Sequence, residues 1–71
     1  MDLNKAQELA KILMSKHDLT SKGWRFEFDN AKRRFGCCNH RYRKISLSKA
    51  LVSINDEARV KNTILHEIAH A

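Results

Sequence analysis

The chain has 71 residues, of which 42% are hydrophobic and 31% charged, with a formal net charge of +6 at pH 7. That composition is ordinary for one small globular domain, and no apolar run approaches the roughly 18 residues of a membrane span. The N-terminus has no basic-then-apolar signal region. The positive charge favours an acidic partner but says nothing about the fold.

Residues 4–17 are predicted to form an amphipathic helix, because apolar side chains recur there at helical spacing. Asn4 with Gln7 resembles a capping box, which predicts that the helix begins at Asn4. Gly23 and Gly36 are both interpreted as turn residues. The apolar stripe comprises Leu3, Ala6, Leu9, Ala10, Leu13 and Met14.

Three strands are predicted to follow this helix. Residues 24–29 alternate between aromatic and charged side chains, which is typical of a strand with one buried face. Residues 33–38 are predicted as a second short strand. Residues 43–48 alternate again, with Ile45 and Leu47 facing one side and polar residues the other. We therefore expect a mixed or antiparallel three-stranded sheet, with the aromatic residues Trp24, Phe26 and Phe28 in the core.

The adjacent Cys37 and Cys38 are predicted to remain reduced, because disulfide geometry is difficult to satisfy between neighbouring residues. The chain thus lacks a disulfide framework, which favours the cytoplasm, or the nucleus in a eukaryotic cell. One thiol is expected to be buried and the other to face outward.

The C-terminal segment is predicted to form a second long helix. Asn55 is the expected N-cap, and Asp56 and Glu57 add negative charge to the first turn, where the helix dipole favours it. A short helical turn over residues 51–54 precedes it. The apolar stripe of the helix comprises Val60, Ile64 and Ile68.

This helix carries the sequence His66-Glu67-Ile68-Ala69-His70, which has H-E-x-x-H spacing. Residues four apart share one helical face, so the two imidazoles can ligate one zinc ion. Glu67 is rotated by about 100° from His66 and can reach a water held at the ion, acting as its general base. The alternative is an amphipathic helix with two solvent-facing histidines.

A catalytic zinc ion normally takes three protein ligands and keeps one position open. No third ligand follows His70 within the 71 residues. His40, Cys37 or Cys38 are the alternatives within the chain, although nothing in their spacing favours them.

Six basic residues crowd into residues 32–44, with Phe35 and Tyr42 among them. Such a cluster can neutralise phosphates while an aromatic ring stacks on a base, which predicts contact with DNA. The alternative is a solvated turn whose aromatic residues belong to the core. The predicted nucleic-acid-binding residues are Lys32, Arg33, Arg34, Arg41, Arg43 and Lys44.

Taken in order, four segments resemble the SprT-like family, which includes the DNA-dependent protease Spartan. They are the helix AQELAKILMSKH, the aromatic strand and turn WRFEFDNAKRRFGCC, the strand KISLSKALV and the helix VKNTILHEIAHA. The resemblance covers nearly all of the chain, and its last segment is the most specific.

The resemblance implies an α+β, zincin-like fold of a helix, a small three-stranded sheet and an active-site helix. It implies that His66 and His70 bind zinc, that Glu67 is the general base, and that the substrate is a protein associated with DNA. The family's third histidine has no counterpart before Ala71. We therefore expect residues 1–71 to be a single, shortened SprT-like domain with little or no hydrolytic activity of its own.

Two other functions stay open from the sequence. In one, the chain is a basic nucleic-acid-binding module whose histidine pair is inert or structural. In the other, the C-terminal helix docks onto another chain that supplies the third ligand.

Overall fold

A computed structural model describes residues 1–71 as an α+β domain with three α-helices and one sheet of three strands. The predicted element order is confirmed. The elements are α1 (Leu3–Lys16), a 3₁₀ turn (Thr20–Lys22), β1 (Arg25–Asp29), β2 (Gly36–Asn39), β3 (Lys44–Ser48), α2 (Lys49–Ser53) and α3 (Glu57–His70).

The sheet is mixed, and its spatial order differs from its order along the chain. Strand β3 lies in the centre, parallel to β1 and antiparallel to β2. Phe26 pairs with Ile45 on one side, and Cys38 pairs with Ile45 on the other. Both β1 and β2 are therefore edge strands.

The core lies between one face of the sheet and the helices α1 and α3. Ile45 and Leu47 are fully buried, as the alternation in β3 predicts. Trp24, Phe26 and Phe28 are half-buried and pack against this core, so they contribute to it from its margin. The buried hydrophobic residues are Ala6, Ala10, Leu13, Met14, Leu19, Ile45, Leu47, Val52, Val60 and Ile64.

The opposite face of the sheet is polar, and it is buried at Ser46 and Ser48 although Arg25 and Glu27 of β1 are exposed. Ser46 is 6% exposed and Ser48 is fully buried. Ser46 Oγ donates to Asp29 Oδ2 (3.0 Å), and Ser48 Oγ donates to the carbonyl of Ala31 (2.6 Å). The loop after β1 thus covers this end of the sheet, so alternation correctly predicted the direction of these side chains but not their burial.

Both long helices begin at an aspartate rather than at the predicted asparagine. The side chain of Asp2 accepts hydrogen bonds from the N–H groups of Asn4 and Lys5, so Asp2 is the N-cap of α1. Asp56 caps α3 by accepting from the N–H of Arg59 at 2.9 Å, whereas Asn55 Nδ2 donates to the carbonyl of Leu51. A carboxylate is the stronger partner at the positive end of a helix dipole.

The two glycines have different roles. Gly23 ends the 3₁₀ turn with φ of +85°, which confirms it as a turn residue. Gly36 is the first residue of β2, so its interpretation as a turn residue was wrong. None of the helices combines the length and apolar composition that a membrane span requires.

Candidate metal centre

The two histidines of the H-E-x-x-H segment converge on the exposed side of α3. The Nε2 atoms of His66 and His70 lie 3.1 Å apart, and the ring planes are nearly perpendicular, with centroids 4.6 Å apart. At this distance one neutral ring can donate a hydrogen bond to the other.

The same arrangement fits a shared metal ion. Two nitrogen atoms that bind one tetrahedral zinc ion, each at about 2.0–2.1 Å, lie about 3.3–3.4 Å from each other. The observed separation of 3.1 Å is within a few tenths of an ångström of that value. Both side chains are exposed, so an ion in solution can reach them directly.

No group of three or more His, Cys, Asp or Glu side chains in the structure is arranged to hold a metal ion. The alternatives Cys37, Cys38 and His40 do not join the histidine pair in such a group. Cys38 Sγ instead lies 3.8 Å from His40 Nε2, and the His40 ring packs edge-on against Trp24. Within the chain, His66 and His70 therefore form a pair without a third residue of these types beside them.

Glu67 packs against the sheet, is only 8% exposed, and lines the same cleft as His66. It packs against Gly36, the first residue of β2. A Cβ atom at position 36 would lie 2.9 Å from Glu67 Oε2 and 3.0 Å from both Glu67 Cγ and Thr63 Cγ2. Only a residue without a side chain therefore allows α3 to lie this close to β2 with the carboxylate between them.

The Cys38 thiol lies close enough to this carboxylate for its negative charge to act on the thiol. Partial burial raises the pKa of Cys38 above its ordinary value, and the negative charges of Glu67 and Cys37 raise it further. Glu67 is thus close enough to the inner face of β2 to disfavour a thiolate there. Both cysteines are free thiols and half-buried, so the expected difference in burial is absent, but Cys38 packs against the core whereas Cys37 pairs with Ser46 on the other face.

An open cleft of about 470 Å³ adjoins the histidine pair. Ligand sites in proteins commonly have volumes of about 300–1,000 Å³. The sequence could have identified three of its residues, since Arg59, Asn62 and Thr63 precede His66 by seven, four and three positions and so share its helical face. The lining residues are Phe35, Gly36, Arg59, Asn62, Thr63, His66 and Glu67.

The six basic residues of the predicted nucleic-acid surface form two groups rather than one. Lys32, Arg33 and Arg34 lie in the loop before β2, whereas Arg41, Arg43 and Lys44 lie at and beyond its other end. At about 3.3 Å per residue, β2 alone separates them by roughly 10 Å. Two of the six have carboxylate partners, because Arg34 lies 3.7 Å from Asp29 and Lys44 lies 2.6 Å from Glu27.

The last helix of this α+β domain presents two convergent imidazoles and a carboxylate within one H-E-x-x-H segment. The family model of the SprT-like family matches residues 4–71. The chain therefore belongs to the SprT-like family. Searches of curated proteins and of solved structures gave no significant match.

Proposed function

We propose that this chain is a zincin-like domain of a zinc-dependent peptidase that acts on proteins associated with DNA. The observation that carries the proposal is the 3.1 Å separation of the His66 and His70 Nε2 atoms on the helix that also bears Glu67. Membership of the SprT-like family supports the same assignment. The two free thiols are consistent with a reducing compartment, so we propose the cytoplasm or the nucleus.

His66 and His70 would hold the zinc ion through their Nε2 atoms. A bound zinc ion supplies Lewis acidity, which polarises a carbonyl group and makes water easier to deprotonate. The shared helical face keeps the two imidazoles together, and replacing either would leave a single protein ligand on α3. Further ligands would come from solvent or from another segment.

Glu67 would act as the general base. Its carboxylate accepts the proton of the water that adds to the peptide carbonyl carbon, and then delivers that proton to the departing amine nitrogen as the C–N bond breaks. The contact with Gly36 restricts where the carboxylate can lie, and its low exposure limits competing hydration. Such a group acts efficiently only if it is held near the reacting water.

The cleft and strand β2 suggest how a peptide would be presented. β2 is an edge strand, and its first residue lines the cleft beside His66 and Glu67. An extended peptide can add to the edge of a sheet through main-chain hydrogen bonds, which suits cleavage with little sequence preference. The exposed basic residues of the chain would favour substrates that are bound to nucleic acid.

Zinc uptake and peptide cleavage test the two parts of this proposal separately. Isothermal titration with zinc should show binding that His66→Ala and His70→Ala each weaken strongly, whereas His17→Ala, at the C-cap of α1, serves as the matched control. Zinc binding that survives replacement of both α3 histidines would refute the metal site.

Cleavage is measured on an unfolded DNA-binding protein, with zinc and DNA present. We expect weak zinc-dependent hydrolysis that Glu67→Gln abolishes while zinc binding is retained. Hydrolysis that is equal in the Glu67→Gln variant would refute the role of Glu67. Absence of cleavage at any chain concentration, with zinc binding intact, would refute peptidase activity in this chain and leave a metal-binding domain.

A further inference from the structure

The turn between β2 and β3 carries an exposed aromatic ring in a positively charged corner of the molecule. Tyr42 is 56% exposed, unlike every other aromatic residue of the chain, all of which are half-buried. The Asn39 side chain holds the turn by accepting a hydrogen bond from the Tyr42 N–H at 3.1 Å. The ring therefore projects from an ordered turn and does not contribute to the core.

Cations surround this ring. The Arg41 guanidinium lies 5.5 Å from the ring centroid and the Lys44 ammonium lies 6.0 Å from it. Both distances are near the outer limit of about 6 Å for a cation–π contact, so neither group covers the ring closely. Much of the ring surface remains free for another planar group.

Two further elements bring more positive charge to the same corner. The main-chain N–H of Arg25 donates to the carbonyl of Arg43 at 2.9 Å, and Arg43 Nη1 donates to the carbonyl of Lys22 at 3.1 Å. Arg43 adopts a left-handed backbone conformation, with φ of +50°, in making this link. We call the group Lys22, Arg25, Arg41, Tyr42, Arg43 and Lys44 the Tyr42 corner.

Carboxylates neutralise little of this charge. Lys44 pairs with Glu27, but Lys22, Arg25, Arg41 and Arg43 have no carboxylate within 4 Å, and all four are exposed. The basic residues at the other end of β2, Lys32, Arg33 and Arg34, differ because no exposed aromatic residue accompanies them. Phe35, which follows that group, is half-buried and packs against the core.

We propose that the Tyr42 corner binds a single-stranded nucleic acid, stacking one unpaired base on the Tyr42 ring while the surrounding cations contact the flanking phosphates. An exposed aromatic ring flanked by cations suits an unpaired base, since stacking requires a π-face that a duplex keeps inside. A lipid surface or an acidic peptide would use the cations without the ring. This inference rests on the nucleic-acid contact in the proposed function and is independent of the zinc site.

Fluorescence anisotropy with labelled oligo(dT), oligo(U) and a DNA duplex tests the proposal. Tyr42→Leu should weaken binding of the single strands roughly 5- to 150-fold, the loss that corresponds to one base stacked on an aromatic ring. Tyr42→Phe keeps the ring and should stay within about twofold of the parent chain. Arg41→Ala should reduce the slope of log K against log salt by about 0.7, the value for one phosphate contact on a single strand.

The matched control is Arg33→Ala, in the loop at the other end of β2. If Arg33→Ala weakens binding and Tyr42→Leu does not, the Tyr42 corner is refuted while nucleic-acid contact elsewhere stands. Tighter binding of the duplex, or equal competition by polyglutamate, also refutes it. If no probe binds, both the Tyr42 corner and the nucleic-acid part of the proposed function are refuted. The metal site is tested separately by the zinc titration. A preference between oligo(dT) and oligo(U) identifies the nucleic acid.

Discussion

The contact between β2 and α3 predicts that Gly36→Ala destabilises the domain. The added Cβ would lie 2.9–3.0 Å from atoms of Glu67 and Thr63, whereas carbon atoms in contact prefer about 3.5–4.0 Å. Glu67 Oε2 can move away because it ends a flexible side chain. Glu67 Cγ and Thr63 Cγ2 are close to the helix backbone, so relief there requires α3 to shift away from the sheet.

Two opposing effects set the magnitude. Overpacking of this kind costs about 1–3 kcal/mol. Replacing glycine by alanine also restricts the unfolded chain, which stabilises the folded state by about 0.4–1 kcal/mol. We therefore expect a net loss of about 1–2 kcal/mol in the free energy of unfolding, and each kcal/mol lowers the Tm of a domain this small by about 4–8 °C.

Urea denaturation followed by circular dichroism measures this loss. Adding Thr63→Ser to Gly36→Ala removes one of the three close contacts and should recover part of the stability. Gly23→Ala is the control, because it destabilises through a left-handed backbone conformation and Thr63→Ser should not rescue it. Unchanged stability in Gly36→Ala would show that α3 and β2 do not pack as closely at Gly36 as the structure indicates. A loss of stability that Thr63→Ser does not reduce would show that Thr63 Cγ2 is not one of the limiting contacts.

Three other measurements test separate parts of the structure. Because Asp2 is the N-cap of α1, Asp2→Ala should lower the free energy of unfolding by about 1 kcal/mol, as measured by urea denaturation. Asn4→Ala should lower it by much less, and equal losses in the two variants would argue against Asp2 as the cap. Cys38 should react slowly with iodoacetamide near pH 8, because its pKa is raised and little of it is thiolate. Glu67→Gln should speed the reaction at the same pH, because it removes a negative charge that disfavours the thiolate. An unchanged rate would mean that the carboxylate is not beside the thiol. Zinc affinity, measured by titration, should fall when either His66 or His70 is replaced by Ala, because one ligand of the ion is lost; an unchanged affinity would exclude imidazole ligands.

Much of the fold follows from local patterns in the sequence. Period-two alternation located β1 and β3, and helical spacing located α1 and α3, because each pattern reflects which side of an element faces the core. The bounds of the strands shifted by one to three residues; the second strand begins at Gly36 rather than at residue 33. The helix caps differ from the predicted ones because two capping residues lie within two positions of each other at each helix start, and local propensity ranks Asn and Asp nearly equal.

The features that the sequence could not predict depend on contacts between elements that are distant along the chain. The strand order, with β3 between its two predecessors, is not contained in any local pattern. The same applies to the basic residues, which crowd together in sequence but lie at opposite ends of β2. Likewise, the importance of Gly36 comes from its contact with Glu67, which is far from it along the chain. His66 and His70 could be paired from the sequence because a single helix turn joins them.

The central position of β3 has a consequence for how the chain is made. Neither β1 nor β2 pairs with the other, so no sheet can exist before Lys44–Ser48 has left the ribosome. Until then the aromatic side chains of β1 have no partner strand, and the newly made segment depends on α1 alone to shield them. Translation pauses or chaperone contacts should therefore matter most in the interval just before β3 emerges.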